Sequence, residues 1–376
     1  MESYKIKIAI LSSSRADYGI YLPLINKLSE DTDICLELIA FGTHFSKLHG
    51  YTIQSIDVKK FSLVHELEHI LSNDSPNAIS TSFGLISLKF ADFWKNIFFN
   101  VVICLGDRFE MAAAVLSGLP YKVNFAHLHG GETTLGAIDN VYRHTISLAS
   151  ELHFTSTEKN KERLSLILGH DRNIYNVGSL SLDNLNQLEL LSHEEFFEKW
   201  AIDLNKKYIL ITIHPETVDF EKNEKYAIEF CNALEQLSNL RQLIITMPNA
   251  DTSGSVYREK LISLNEKYHN KVVLIENFGT VSYFTCMKYA DIILGNSSSG
   301  IIEAASFGKY VINVGDRQKG RQCDDNVINV RFDENLIVEK TLLYLEKPYN
   351  GKNSYFNGGA VENIIYLIKQ NYDKFR

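Results

Sequence analysis

Ile292-Ile293-Leu294-Gly295-Asn296-Ser297-Ser298-Ser299-Gly300-Ile301-Ile302-Glu303 runs from a short apolar strand through small residues into a helix. Three features make this turn a seat for an anion. Glycine and serine let a ligand approach the backbone, the first N–H groups of a helix lack partners inside it, and the helix dipole favours negative charge there. Glu303 lies one helical turn beyond Ser299, where a carboxylate accepts ribose hydroxyls in nucleotide-binding folds. A bland reading also fits: a serine-capped helix with a first-turn glutamate, close to a capping box. On this stretch alone the two readings weigh the same.

The same step from strand to helix recurs along the chain. Apolar, β-branched runs predict strands over Ile6–Leu11, Ile34–Ala40, Val101–Leu105 and Val123–His127, then Tyr208–Ile213, Leu243–Met247, Val272–Ile275, Ile292–Leu294 and Val311–Val314. Helical spacing fills gaps between them, as in Tyr18–Ser29, Phe109–Ser117, Glu221–Leu237 and Ser299–Ser306. Such alternation predicts an α/β protein with parallel sheets covered on both faces. The pattern weakens over the polar, acidic stretch Ser181–Leu204 and restarts at Tyr208. Two doubly wound, Rossmann-like domains facing a cleft are therefore expected, 1–180 and 205–358, with a final amphipathic helix in 359–376. No internal repeat is visible.

Bulk properties narrow the function. A chain of 376 residues suits two cores rather than one. Its net charge of −8 argues against a nucleic-acid backbone as the main ligand. The five cysteines, at 35, 104, 231, 286 and 323, form no Cys-x-x-Cys pair and read as reduced thiols. The start Met1-Glu2-Ser3-Tyr4-Lys5 leads into a short strand without a signal-like apolar region. No run approaches the roughly 20 apolar residues that cross a bilayer. A cytoplasmic protein is expected.

Ligands of doubly wound sheets bind outside the carboxyl ends of the strands, so the residues there matter most. The first strand ends in Ser12-Ser13-Ser14-Arg15-Ala16-Asp17-Tyr18-Gly19, either a phosphate seat clamped by Arg15 or a capped helix with a surface arginine. Gly106-Asp107-Arg108-Phe109-Glu110 presents Asp107 as a general acid or base, or as the cap of the next helix, the commoner role at such a place. In His127-Leu128-His129-Gly130-Gly131-Glu132, alternation puts His127 and His129 on one strand face ahead of a carboxylate. Two histidines and a glutamate suggest a metal, but no further ligand is obvious, and acid–base groups are the better reading. Asp139 and Arg143, four apart on a helix, share a face and are expected to pair.

In the second half, His214-Pro215-Glu216-Thr217 and Met247-Pro248-Asn249 follow strands, with His214 and Asn249 as polar candidates. Gly315-Asp316-Arg317-Gln318-Lys319-Gly320-Arg321 brings three cations to another strand end. The Gly-x-Gly-x-x-Gly and P-loop signatures of dinucleotide and ATP sites are missing.

Taken in order, six of these motifs resemble those of the UDP-N-acetylglucosamine 2-epimerases, specifically the hydrolysing branch serving sialic and related nonulosonic acid synthesis. They are Ser14–Gly19, Gly106–Glu110, His127–Glu132, His214–Thr217, Gly295–Glu303 and Gly315–Arg321. The resemblance spans nearly the whole chain and implies a glycosyltransferase-B-like fold whose last helix crosses back to the first domain. It implies that Ser297, Ser298 and Arg317 hold the UDP diphosphate with Arg15 and His214 nearby. It also implies that Glu303 holds the ribose, Phe278 flanks the uracil and His44 lies near the sugar. Asp107, Glu132 and Asp139 would move the protons, supported by Arg143, with the base either His129 or Glu132. Where non-hydrolysing relatives carry lysine this chain has Ile20, which fits the hydrolysing branch. The resemblance further implies no metal or other cofactor, a UDP-sugar as partner, and a homodimer or homotetramer. Either UDP-N-acetylglucosamine or UDP-2,4-diacetamido-2,4,6-trideoxyhexose fits as substrate. A glycosyltransferase and a non-catalytic nucleotide-sugar sensor are the competing classes.

Overall fold

Strands dominated by apolar residues on both faces must be covered on both, and this chain builds two sheets from strands of that kind. The computed structural model describes residues 6–46, 51–68, 75–135, 138–216, 220–248 and 254–372. It divides into two compact units, Met1–Glu132 with Asp139–Gln187 and Tyr355–Arg376, and Thr133–Ile138 with Leu188–Ser354.

The first unit holds strands β1 (Ile6–Ser12), β2 (Ile34–Phe41), β3 (Leu63–Leu67), β4 (Val101–Leu105), β5 (Phe125–Leu128), β6 (Leu152–Thr155) and β7 (Ile174–Asn176). Its helices are α1 (Arg15–Glu30), α2 (Pro76–Asn96), α3 (Phe109–Gly118), α4 (Asp139–Leu148), α5 (Glu158–Leu168) and α6 (Leu180–Gln187), joined later by α13 (Ala360–Asn371). The second unit holds α7 (His193–Trp200), β8 (Tyr208–Thr212), α8 (Asn223–Leu237), β9 (Gln242–Thr246), α9 (Gly254–Lys267), β10 (Val272–Ile275), α10 (Gly279–Tyr289), β11 (Ile292–Gly295), α11 (Ser298–Ile302), β12 (Val311–Val314), β13 (Val327–Val330) and α12 (Glu334–Tyr344).

Both sheets are parallel, in the orders β3-β2-β1-β4-β5-β6-β7 and β10-β9-β8-β11-β12-β13. Each reverses direction once, between β1 and β4 and between β8 and β11. At such a switch point the loops leaving neighbouring strands diverge and open a crevice at the carboxyl end. The loops beginning Ser13, Gly106, Ile213 and Asn296 leave at those places.

Side-chain alternation along β1 explains the layering. Ile8 and Ile10 join a core with α1 and α13, whereas Ala9 and Leu11 join a second core with α2 and α3. In the second unit Ile209, Ile211, Phe230, Leu243, Ile245 and Leu294 lie in one core. Cys35, Cys104 and Cys286 are buried free thiols, and burial pushes those of Cys104 and Cys286 up to about 12.

The close passage of β11 over β8 requires a residue without a side chain. Gly295 has φ of 134°, and a Cβ there would meet the Thr212 carbonyl oxygen at 1.9 Å. Glycine thus decides both the backbone angle and the contact.

Several elements differ from the sequence expectation. Strands β3, β6, β7 and β13 add to the nine expected. β7 has only three residues, and the edge strand β3 mixes Leu63, Val64 and Leu67 with His65 and Glu66, which breaks the apolar pattern. The helix expected over Ser299–Ser306 stops at Ile302 and tightens into a 3-10 turn, Ala304–Phe307, which closes on the left-handed Gly308. Strand β5 ends at Leu128, and His129 has φ of 64°. His127 and His129 therefore do not share a strand face, because the left-handed turn rotates the second away. Among the described residues, no helix is long and apolar enough to cross a membrane.

Candidate active site

In the first unit a buried guanidinium gathers the acidic candidates. Arg143, on α4, forms an ion pair with Asp107 through Nη2 and donates from Nη1 to the His129 carbonyl at 3.0 Å. The same Nη1 lies 3.7 Å from Glu132 Oε2. Glu132 Oε1 accepts from Ser156 Oγ at 2.7 Å and stands 3.2 Å from His129 Nδ1. Asn160 Nδ2 donates to Ser156 Oγ at 3.0 Å and holds that hydroxyl in place. The left-handed turn at His129 aims its carbonyl at Arg143 and its ring at Glu132.

One sequence expectation changes here. Asp107 is not the cap of α3: the cap position is Arg108, without a side-chain cap bond, and the Asp107 carboxylate goes to Arg143 instead. A guanidinium 36 residues away outcompetes the local role. Arg143 in turn engages Asp107, His129 and Glu132 through two of its nitrogens. Asp139 opens α4 and is half-buried.

His127 is committed elsewhere. Its Nε2 lies 2.8 Å from the Gly106 carbonyl, which only accepts, so Nε2 carries the proton and Nδ1 accepts from Ser147 Oγ at 2.9 Å. Burial lowers its pKa to about 3. His44 is similarly enclosed, with Nε2 at 2.8 Å from Ser12 Oγ and Nδ1 at 3.0 Å from Thr52 Oγ1. Burial, aided by Arg108, lowers its pKa to about 4. Asp17 fixes the serine turn by accepting from Ser13 N at 2.9 Å and Ser13 Oγ at 2.6 Å, and burial raises its pKa. Arg15, one position past the cap Ser14, is exposed.

A pH signature follows. Both rings stay neutral in the fold, whereas in the unfolded chain they take up protons below about pH 6.5. The unfolded state then binds more protons, so their contribution is complete above that pH and is lost as pH falls toward 4 and 3. The denaturant midpoint is expected to drop between pH 7.5 and pH 5, and His127→Gln to flatten the profile. The difference between the two profiles isolates the ring from Asp17, whose raised pKa acts with the opposite sign. Parallel profiles would show that His127 contributes nothing to the slope.

In the second unit the expected residues gather around Asn296. Its Oδ1 accepts from His214 N at 2.7 Å, and its Nδ2 donates to His214 O at 2.9 Å. Gln318 Nε2 donates to Asn296 O at 2.9 Å, and Arg317 Nη1 donates to Pro215 O at 2.7 Å. Glu216 Oε1 accepts from Asp316 N at 2.6 Å. Three loops, after β8, β11 and β12, are thereby bolted together. Ser297 caps α11, Ser298 is exposed, and Glu303 is buried with its N–H on Ser299 O at 3.0 Å. Small hydroxyls, an arginine and a histidine thus share one edge with a buried carboxylate, a donor set suited to a diphosphate beside a ribose.

Phe278 is buried, its ring 5.7 Å from Phe196 and 4.9 Å from Trp200. Asn249 lies outside the described residues. Asn296, Gln318, Glu216 and Ser156 were missed as parts of the site. Asparagine directly after the strand glycine was the available signal for the first of them.

The sequence pattern of the UDP-N-acetylglucosamine 2-epimerase family matches residues 26–369. The chain belongs to that family. Among its relatives is the GDP/UDP-N,N'-diacetylbacillosamine 2-epimerase (hydrolyzing) of Campylobacter jejuni, 35% identical over 88% of this chain and 85% of that protein. Another is the UDP-N,N'-diacetylbacillosamine 2-epimerase (hydrolyzing) of Legionella pneumophila, 33% identical over 96% and 95%. The crystal structure of UDP-GlcNAc 2-epimerase from Neisseria meningitidis bound to UDP-GlcNAc shares the fold, with a TM-score of 0.81 at 21% identity over 97% of this chain and 100% of that one. This 2-epimerase family member is an enzyme of the hydrolysing branch, related to the bacillosamine and sialic acid pathway enzymes. Among the described residues of the epimerase, no group of three or more His, Cys, Asp or Glu side chains is arranged to hold a metal ion.

Proposed function

We propose that the protein converts UDP-N-acetylglucosamine into UDP and free N-acetylmannosamine. A base removes the C2 proton, the C1–O bond to UDP breaks, and a C1=C2 double bond forms. Water then adds its hydroxyl to C1, while an acid returns a proton to C2 from the opposite face. The supporting observation is Arg143 holding Asp107 while lying beside Glu132, which gives two carboxylates and one cation in one cluster. Asp107 and Glu132 are the acid–base pair, Glu132 acting with or through His129, and Asp139 is the third candidate. Arg15, His214, Ser297, Ser298 and Arg317 take the diphosphate and stabilise its charge as it leaves. Glu303 takes the ribose, Phe278 the uracil side and His44 the sugar side, and Asn249 is a further UDP-binding candidate. In this reading the two units form a pair of Rossmann-like domains of the glycosyltransferase-B kind, supported by their shared strand order. The enzyme works in the cytoplasm as a homodimer or homotetramer.

A second substrate is favoured by a specific observation. The relatives at 35% and 33% identity are named for GDP/UDP-N,N'-diacetylbacillosamine and UDP-N,N'-diacetylbacillosamine, nucleotide-activated forms of a 2,4-diacetamido-2,4,6-trideoxyhexose. The chemistry at C1 and C2 is the same for both sugars. Parallel assays of UDP release and free sugar from each, without acceptor, are expected to show turnover of at least one, and the ratio of kcat/KM identifies the natural one. No release from either sugar, or release only when an acceptor is added, would remove the epimerase reading and leave a sensor or a glycosyltransferase.

A further inference from the structure

The serine that meets Glu132 is itself held from the helix that follows it. Glu132, Ser156 and Asn160 are 1%, 0% and 2% exposed, so their polar atoms must find partners inside the fold. A carboxylate only accepts, so Ser156 Oγ gives its one proton to Glu132 Oε1 at 2.7 Å. The hydroxyl oxygen is left to accept, and Asn160 Nδ2 donates to it at 3.0 Å. The chain of donors therefore runs one way, from amide to hydroxyl to carboxylate. Asn160 lies in the first turn of α5, where its N–H donates to the capping Thr157 Oγ1 at 3.2 Å. Its backbone meets the loop of Glu132 as well. Gly131 has φ of 76°, and a Cβ there would lie 2.1 Å from the Asn160 carbonyl oxygen. All of these residues belong to the first unit.

From these contacts we propose that Asn160 is a positioning residue for the proton transfers, acting on Glu132 through the Ser156 hydroxyl. The inference rests on the function proposed above, in which Glu132 is one of the acid–base groups. A lone hydroxyl turns about its C–O bond and serves as donor or acceptor alike. The Asn160 amide removes that freedom and polarises the O–H toward the carboxylate. Glu132 Oε1 thus keeps one fixed donor, while the first turn of α5 stands against Gly131 and limits movement of the chain behind it. His129 Nδ1 and Arg143 Nη1 also face the carboxylate, at 3.2 and 3.7 Å, and Arg143 holds Asp107 beyond it. Arg143 supplies charge to Glu132; Asn160, which carries none, supplies direction.

The test compares wild type with Ser156→Ala, Asn160→Ala, the double variant of these two, and Asn160→Leu, which fills the space without a donor. Turnover of the preferred UDP-sugar is followed against pH, and UDP affinity by calorimetry. Ser156→Ala is expected to lower kcat roughly tenfold and either Asn160 variant roughly fivefold, with KM and UDP affinity within about threefold of wild type. The double variant is expected to lie within about twofold of Ser156→Ala, since the amide acts through the hydroxyl. Losing a donor to a carboxylate disfavours its charged form. One limb of the pH profile of kcat/KM is therefore expected to move up by about half a unit or more in each single variant. Unchanged kcat in both Asn160 variants, losses that multiply in the double variant, or a lower kcat with an unmoved pH profile would overturn the inference and leave the epimerase reading standing. Loss of cooperative unfolding in both Asn160 variants would assign the residue to the fold and count against the inference too. A wild type inactive on both sugars would overturn the epimerase reading, and this inference with it.

Discussion

Asp107→Asn is expected to lower kcat by about two to four orders of magnitude, the span associated with a positioned acid or base. UDP affinity, measured by calorimetry, is expected to stay within about threefold. The substitution keeps the shape of the side chain and removes its charge. Its Oδ2 now receives Arg143, and the amide retains one oxygen for that bond. The diphosphate candidates Ser297, Ser298, Arg317 and His214 belong to the other unit and are held by Asn296, Gln318 and backbone carbonyls. The bonds named for that network run among Asn296, His214, Pro215, Arg317 and Gln318. A rate within about threefold of wild type would take Asp107 out of the proton transfers.

Arg143→Met is expected to damage both stability and rate. The arginine side chain is 3% exposed, and Glu132 beside it is 2% exposed. Removing one partner of a buried ionic group leaves the other charge without compensation, a loss of about 3–5 kcal/mol. Asp107, at 26% exposure, retains partial hydration and is the lesser part of that loss. Methionine fills much of the aliphatic stem, so cavity formation adds little. Chemical denaturation measures the stability change. Combining Arg143→Met with Glu132→Gln is expected to recover part of it, because the stranded charge is gone. If the double variant were less stable than the sum of the two single ones, the electrostatic account of this cluster would fail.

How much of this was legible in the sequence depends on how local each determinant is. β4 and β12 were read with the bounds they have, because Val101–Leu105 is a continuous apolar run and Val311–Val314 is interrupted by Asn313 alone, and both are buried throughout. β7 was not, since only Ile174 of its three residues is fully buried. The loops carrying site residues were found because small, polar and charged residues after an apolar strand stand out. The pairing among them was not, because it joins residues far apart in the chain. Asp107 finds Arg143 rather than the helix beside it, and Asn296 finds both backbone groups of His214, 82 residues earlier. Sequence spacing offered Asp139 to Arg143 since helical neighbours are the only ones that spacing reveals. His127 looked like a site residue by type and position. Its burial between Gly106 and Ser147 makes it a support for the loop that carries Asp107.

The central claim is that this cluster removes and replaces the C2 proton while UDP leaves C1. Proton NMR of the reaction in deuterated water, run on both candidate UDP-sugars, tests it most directly. The account predicts free sugar of inverted C2 configuration carrying deuterium at C2, formed together with UDP. Free sugar that retains its C2 proton and configuration would contradict it, since that product arises from hydrolysis at C1 alone.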